Sequence, residues 1–67
     1  MVFLKTKGTK FIPDFVQIRD DNYALIAHFR LLDIEKYIPK LPIENPQKVI
    51  NKIKNADYNK IYNLNND

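Results

Sequence analysis

The stretch 11–32 constrains this chain more than any other, because it reads as one β-hairpin turning at Asp21 and Asn22. Two residues that tolerate positive φ, flanked by β-rich sequence, suit a two-residue primed turn. Such a turn pairs Asp20 with Tyr23 and sets every later pair: Ile18 with Leu25, Val16 with Ala27, Asp14 with Phe29, and Ile12 with Leu31. One face then collects Ile12, Val16, Ile18, Leu25, Ala27, Phe29 and Leu31. The other collects Phe11, Phe15, Gln17, Arg19, Ala24, Ile26, His28, Arg30 and Leu32. A slip of one residue would mix the two sets, so the pattern itself selects this register.

Elements on either side complete an α+β plan. Residues 2–7 alternate weakly and read as a short strand, with Gly8 and Thr9 turning into the hairpin. Pro13 lacks an amide proton, which places its strand at an edge or bulges it and turns Asp14 out to solvent. The second hairpin strand is apolar on both faces, as a central strand is. Asp33 suits the N-cap of a helical turn carrying Ile34, Tyr37 and Ile38 on one side, and Pro39 ends that turn. Asn45 and Pro46 open the main helix as N-cap and first helical residue. Its apolar stripe is Val49, Ile50, Ile53 and Ala56; Lys48, Lys52, Asn55 and Asn59 lie opposite. Residues 57–64 fit a continued helix or a strand, and residues 65–67 should fray. The expected fold is one α+β domain over residues 1–67. A small antiparallel sheet of two or three strands packs one C-terminal helix across the face of Ile18, Leu25 and Phe29.

The chemical inventory argues against catalysis. Among 67 residues there is no serine or cysteine, one histidine (His28) and one glycine (Gly8). The common covalent nucleophiles are missing, leaving only Thr6 and Thr9. One histidine and no thiols make no metal cluster of the usual kind, and one glycine makes no phosphate loop. Asp20, Asp21 and Asp33 sit where aspartate bonds to its own backbone. The chain is expected to be no enzyme, with no catalytic, metal or cofactor-binding residues.

Binding is the remaining class. Phe11, Phe15, Arg19, His28 and Arg30 fall on the second hairpin face, mixing rings with guanidinium groups. Protein interfaces are enriched in such residues, and single-stranded nucleic acid stacks on them. His28, paired with Phe15, reads most simply as a partly exposed sheet residue. Lys48 and Lys52 form a secondary basic face. The net charge of +3 leans weakly toward anionic partners, and AT-rich codons account for the abundant Ile, Asn and Lys just as well. The leading reading is a small soluble accessory protein that binds a larger protein or assembly through the aromatic and arginine face. The alternative is a nucleic-acid-binding protein using the same face with Lys48 and Lys52. So small a core also makes a homodimer a natural expectation. No stretch resembles a signal peptide or a membrane span. The chain is expected to stay in the cytoplasm, or inside an organelle with an AT-rich genome, rather than be secreted.

Overall fold

Asp20 decides how the hairpin turns. In the computed structural model, which describes residues 1–64, its carboxylate Oδ1 accepts from the amides of Asn22 (2.8 Å) and Ala24 (2.9 Å). The Tyr23 amide donates to the Asp20 carbonyl, the Asp20 amide donates to the Ala24 carbonyl, both at 3.0 Å, and Tyr23 has φ 64°. This is a three-residue loop, a tight turn followed by one left-handed residue. The two-residue turn read from the sequence would need positive φ at both Asp21 and Asn22; the observed loop needs it once.

The strands are β1 (Val2–Thr6), β2 (Phe15–Arg19), β3 (Leu25–Arg30) and β4 (Ile61–Asn63). They form one antiparallel sheet in the order β3-β2-β1-β4. The longer loop shifts the β2–β3 register by one residue, and a bulge between Ile18 and Arg19 shifts it by another. The pairs are Arg19 with Leu25, Ile18 with Ala27, Gln17 with His28, Val16 with Phe29 and Phe15 with Arg30. Two single shifts restore the alternation, so Val16, Ile18, Ala27 and Phe29 keep the inward face assigned to them. Leu25 lies between the shifts and is 52% exposed instead of buried. Ile12 is also exposed, and Leu31 is only partly buried.

Three further expectations are corrected. The hairpin strands span residues 15–30, because residues 8–14 form a loop. There Thr9 Oγ1 accepts from the amides of Phe11 and Ile12, and a Cβ at Gly8 would overlap the Ile12 carbonyl. With Pro13 in that loop, β2 keeps its full donor set and lies inside the sheet, whereas β3 is an outer strand. The sheet has four strands, because residues 61–63 pair with β1: Phe3 with Tyr62 and Leu4 with Ile61. Asn59, at φ 63°, redirects the chain into β4 and donates to the Lys5 carbonyl at 2.7 Å.

The helices are α1 (Ile34–Tyr37), flanked by short 3-10 turns, and α2 (Pro46–Asn55). Asp33 makes no side-chain cap; its carboxylate instead accepts from Arg30 Nε at 2.9 Å. Pro39 does not end the turn at once but continues it in a tighter 3-10 form over Ile38–Lys40. Asn45 caps α2 by accepting from the Lys48 amide, and Pro46 takes the first helical position. Ile34, Ile38, Val49, Ile50 and Ile53 close over Phe3, Val16, Ile18 and Phe29, with Leu64 at the margin. Tyr62 stacks on Phe3 (5.2 Å between centroids) and Tyr37 on Phe29 (4.9 Å). Among the described residues no helix is long and apolar enough to cross a membrane.

Candidate interaction face

Alternation along four paired strands builds the surface opposite the helices. Every buried helical residue packs with Phe3, Val16, Ile18 and Phe29, all inward-facing. The outward residues are their strand neighbours: Val2, Leu4 and Thr6 on β1; Phe15, Gln17 and Arg19 on β2; His28 and Arg30 on β3; Ile61 on β4. No strand contains a carboxylate.

Within this face the side chains are pre-arranged. Phe15 opposes Arg30 and His28 opposes Gln17, so the expected Phe15–His28 pair becomes a diagonal contact, with centroids 4.7 Å apart and planes tilted by 43°. Arg19 is held flat along the sheet. Its Nη2 and Nε donate to Gln17 Oε1 at 2.8 and 3.2 Å, and its Nη1 donates to the Tyr23 carbonyl at 2.8 Å. Arg30 is fixed by Asp33 at 2.9 Å. A guanidinium held by its neighbours loses less side-chain freedom on meeting a partner. Leu25, Ile26 and Ile61 add exposed aliphatic surface.

Of the residues singled out by sequence, Phe15, Arg19, His28 and Arg30 therefore come together on adjacent strands. Phe11 does not: it stands on the 8–14 loop, 88% exposed and outside any strand. Lys48 and Lys52 are on α2, away from this face, and Lys52 Nζ donates to the Asn63 carbonyl at 2.8 Å. Val2, Leu4 and Ile61 were not legible as part of the face, because their membership depends on the distant β1–β4 pairing.

A second polar cluster lies at the open end of α2. Lys5 is buried, 2% exposed, among inward-facing residues. Its Nζ donates to the carbonyls of Ala56 (2.8 Å) and Lys54 (3.2 Å) and sits 4.5 Å from the Tyr58 ring centroid. The cation thus satisfies carbonyls at the helix end, where the helix dipole favours positive charge. Burial lowers the Lys5 pKa, an effect that Asp14 and Asp57 oppose. Asp14 does not turn out to solvent. It accepts from the Tyr58 hydroxyl and the Gly8 amide, each at 2.6 Å, with Lys7 at 3.8 Å. The Tyr58 bond, then the Gly8 bond, hold the Asp14 carboxyl below the ordinary aspartate range, and the same bond raises Tyr58. Shifted groups often mark reactive sites. Here the donors and acceptors are spent on one another and on the backbone, which makes this cluster a tie between the loop, β1 and the C-terminal segment. Comparison with known proteins finds no matching family model and no significantly similar curated protein or solved structure.

Proposed function

We propose that this chain is a non-catalytic interaction protein that binds a larger protein or assembly through the outer face of its sheet. One observation carries the reading: both helices pack on the same side, and the sheet face left without a helical layer is aromatic, aliphatic and basic. The aliphatic residues, the Phe15 ring packed on His28 and the fully engaged Arg19 favour a protein over a nucleic acid. Bases need free ring faces and phosphates need free cations. Arg19 and Arg30 instead act as fixed polar anchors around an apolar patch, the arrangement in which interface arginines contribute most.

The test is capture from native extract by the wild-type chain and by the double variant Phe15→Ala, Arg30→Ala, with and without nuclease. The variant is expected to melt within a few degrees of wild type yet to lose at least tenfold in affinity, about 1.4 kcal/mol. Nuclease treatment should leave the captured partner in place. Undiminished capture by a folded variant would rule out the face, and loss of all capture on nuclease treatment would make the partner a nucleic acid.

A further inference from the structure

We infer that the outer edge of β3 accepts an extended partner segment as a fifth strand, and that this segment alternates acidic with apolar side chains. The inference deepens the proposal above and rests on it. Hydrogen-bond phase shows which backbone groups are offered. The Leu64 amide donates to the Met1 carbonyl and the Asn59 amide to the Lys5 carbonyl, so the odd residues of β1 face β4. Val2, Leu4 and Thr6 then face β2, which leaves Val16 and Ile18 to face β3. The Leu31 amide donating to the Asp14 carbonyl at 2.9 Å keeps the same phase on β3. Ala27 and Phe29 therefore bond inward to β2, while the His28 amide and carbonyl and the Arg30 amide point away from the sheet; the Arg30 carbonyl opens the 3-10 turn over Leu31–Asp33.

Edge strands are usually defended by shortness, lysine, proline or an inward charge. The β4 edge has only three residues. The β3 edge, Leu-Ile-Ala-His-Phe-Arg, has six and carries neither lysine nor proline; its bulge, at Ile26, lies toward the turn and leaves Ala27–Arg30 regular. Its two sides differ. An added strand would set one series of side chains beside His28 and Arg30, whose guanidinium meets Asp33 through Nε and keeps its two Nη groups for a partner. The other series would lie beside Ala27 and Phe29, next to the half-exposed Tyr37 ring. Acidic residues suit the first series and apolar residues the second, and backbone pairing supplies the rest. A second copy of β3 fits worse, because a twofold axis at His28 would pair Arg30 with Ile26 and give the guanidinium no anionic partner.

The experiment uses the full chain and capped nine-residue peptides alternating valine with glutamate. Controls replace glutamate by lysine, or carry N-methyl groups on one or the other alternate set of amides. The acidic peptide should bind at least tenfold more tightly than the lysine peptide. N-methylation of one set should abolish binding, while methylation of the other changes it by less than about threefold. Amide exchange at His28 and Arg30 should slow at least tenfold on binding. The variant His28→Pro removes an outward amide but no bond to β2, so it should fold and fail to bind. If it does not fold, the N-methyl comparison on the wild-type chain still decides. Equal binding of the acidic and lysine peptides, indifference to the position of N-methylation, or unchanged exchange at His28 and Arg30 would overturn strand addition. Capture sensitive to Phe15→Ala, Arg30→Ala would still stand in that event. A concentration-dependent dimer with these amides protected before any peptide is added would assign the edge to a second copy and overturn the inference.

Discussion

Lys5 and Asp14 are two charged residues at positions where the alternation calls for apolar ones. Each is retained by a specific set of partners. A buried ammonium is costly unless its donors are met, and Lys5 meets two carbonyls at the end of α2 and the face of Tyr58. Asp14 accepts one short bond from the Gly8 amide, closing the loop of residues 8–14, and one from the Tyr58 hydroxyl, tying that loop to the C-terminal segment. Because its carboxyl ionises more readily in the folded chain than in the unfolded one, it adds stability in the charged form. That increment is complete above the unfolded value of about 3.9 and is lost as pH falls through the lower folded value. Asp14→Asn keeps the shape and an acceptor oxygen but not the charge. The variant should melt below wild type at pH 6, and the gap should narrow steadily as pH drops below 4. Melting curves between pH 2 and 6 check this; a gap independent of pH would mean the charge contributes nothing.

At the scale of elements, the hairpin separates what the residue pattern carries from what it does not. Face assignment depends on parity, and two single-residue shifts preserve parity; thus Val16, Ile18 and Phe29 are core, and Phe15, Arg19, His28 and Arg30 share a surface, as alternation indicates. Loop length is set by the Asp20 carboxylate reaching two amides, a side-chain choice invisible to periodicity. The start of helix α2 was legible, since Asn45 and Pro46 are local signals, whereas its end at Asn55 was not, because residues 57–64 read equally well as more helix. β4 was not, since a three-residue strand is defined by a partner about sixty residues away rather than by its own sequence. Leu25 tests the register directly. Ile18→Asp should abolish cooperative unfolding by burying an unpaired carboxylate, whereas Leu25→Asp should cost about 0.5 kcal/mol or less. The two-residue turn demands that both be disruptive. Urea unfolding of the two variants distinguishes the registers.

For the molecule as a whole, the C-terminal segment closes the sheet and so determines which edge stays open. Residues 56–64 supply an acceptor for Lys5 at Ala56, the Tyr58 bond to Asp14, the Tyr62 ring on Phe3, and Leu64 in the core. They also pair β1 on its second side, which makes it an inner strand of the sheet. A domain this small retains little stability after conformational entropy is offset, so losing one layer of contacts from its central strand should be decisive. A chain ending at residue 55 is expected to lose its cooperative thermal transition and its near-ultraviolet circular dichroism. A separate peptide of residues 56–67 should restore both, because the missing contacts are made by a contiguous segment that crosses only one strand edge. Retention of a sharp transition within a few degrees of the full chain would mean that β1, β2, β3 and the helices already form a complete core. In that event β1 would become a second exposed edge, and strand capture would no longer be confined to β3.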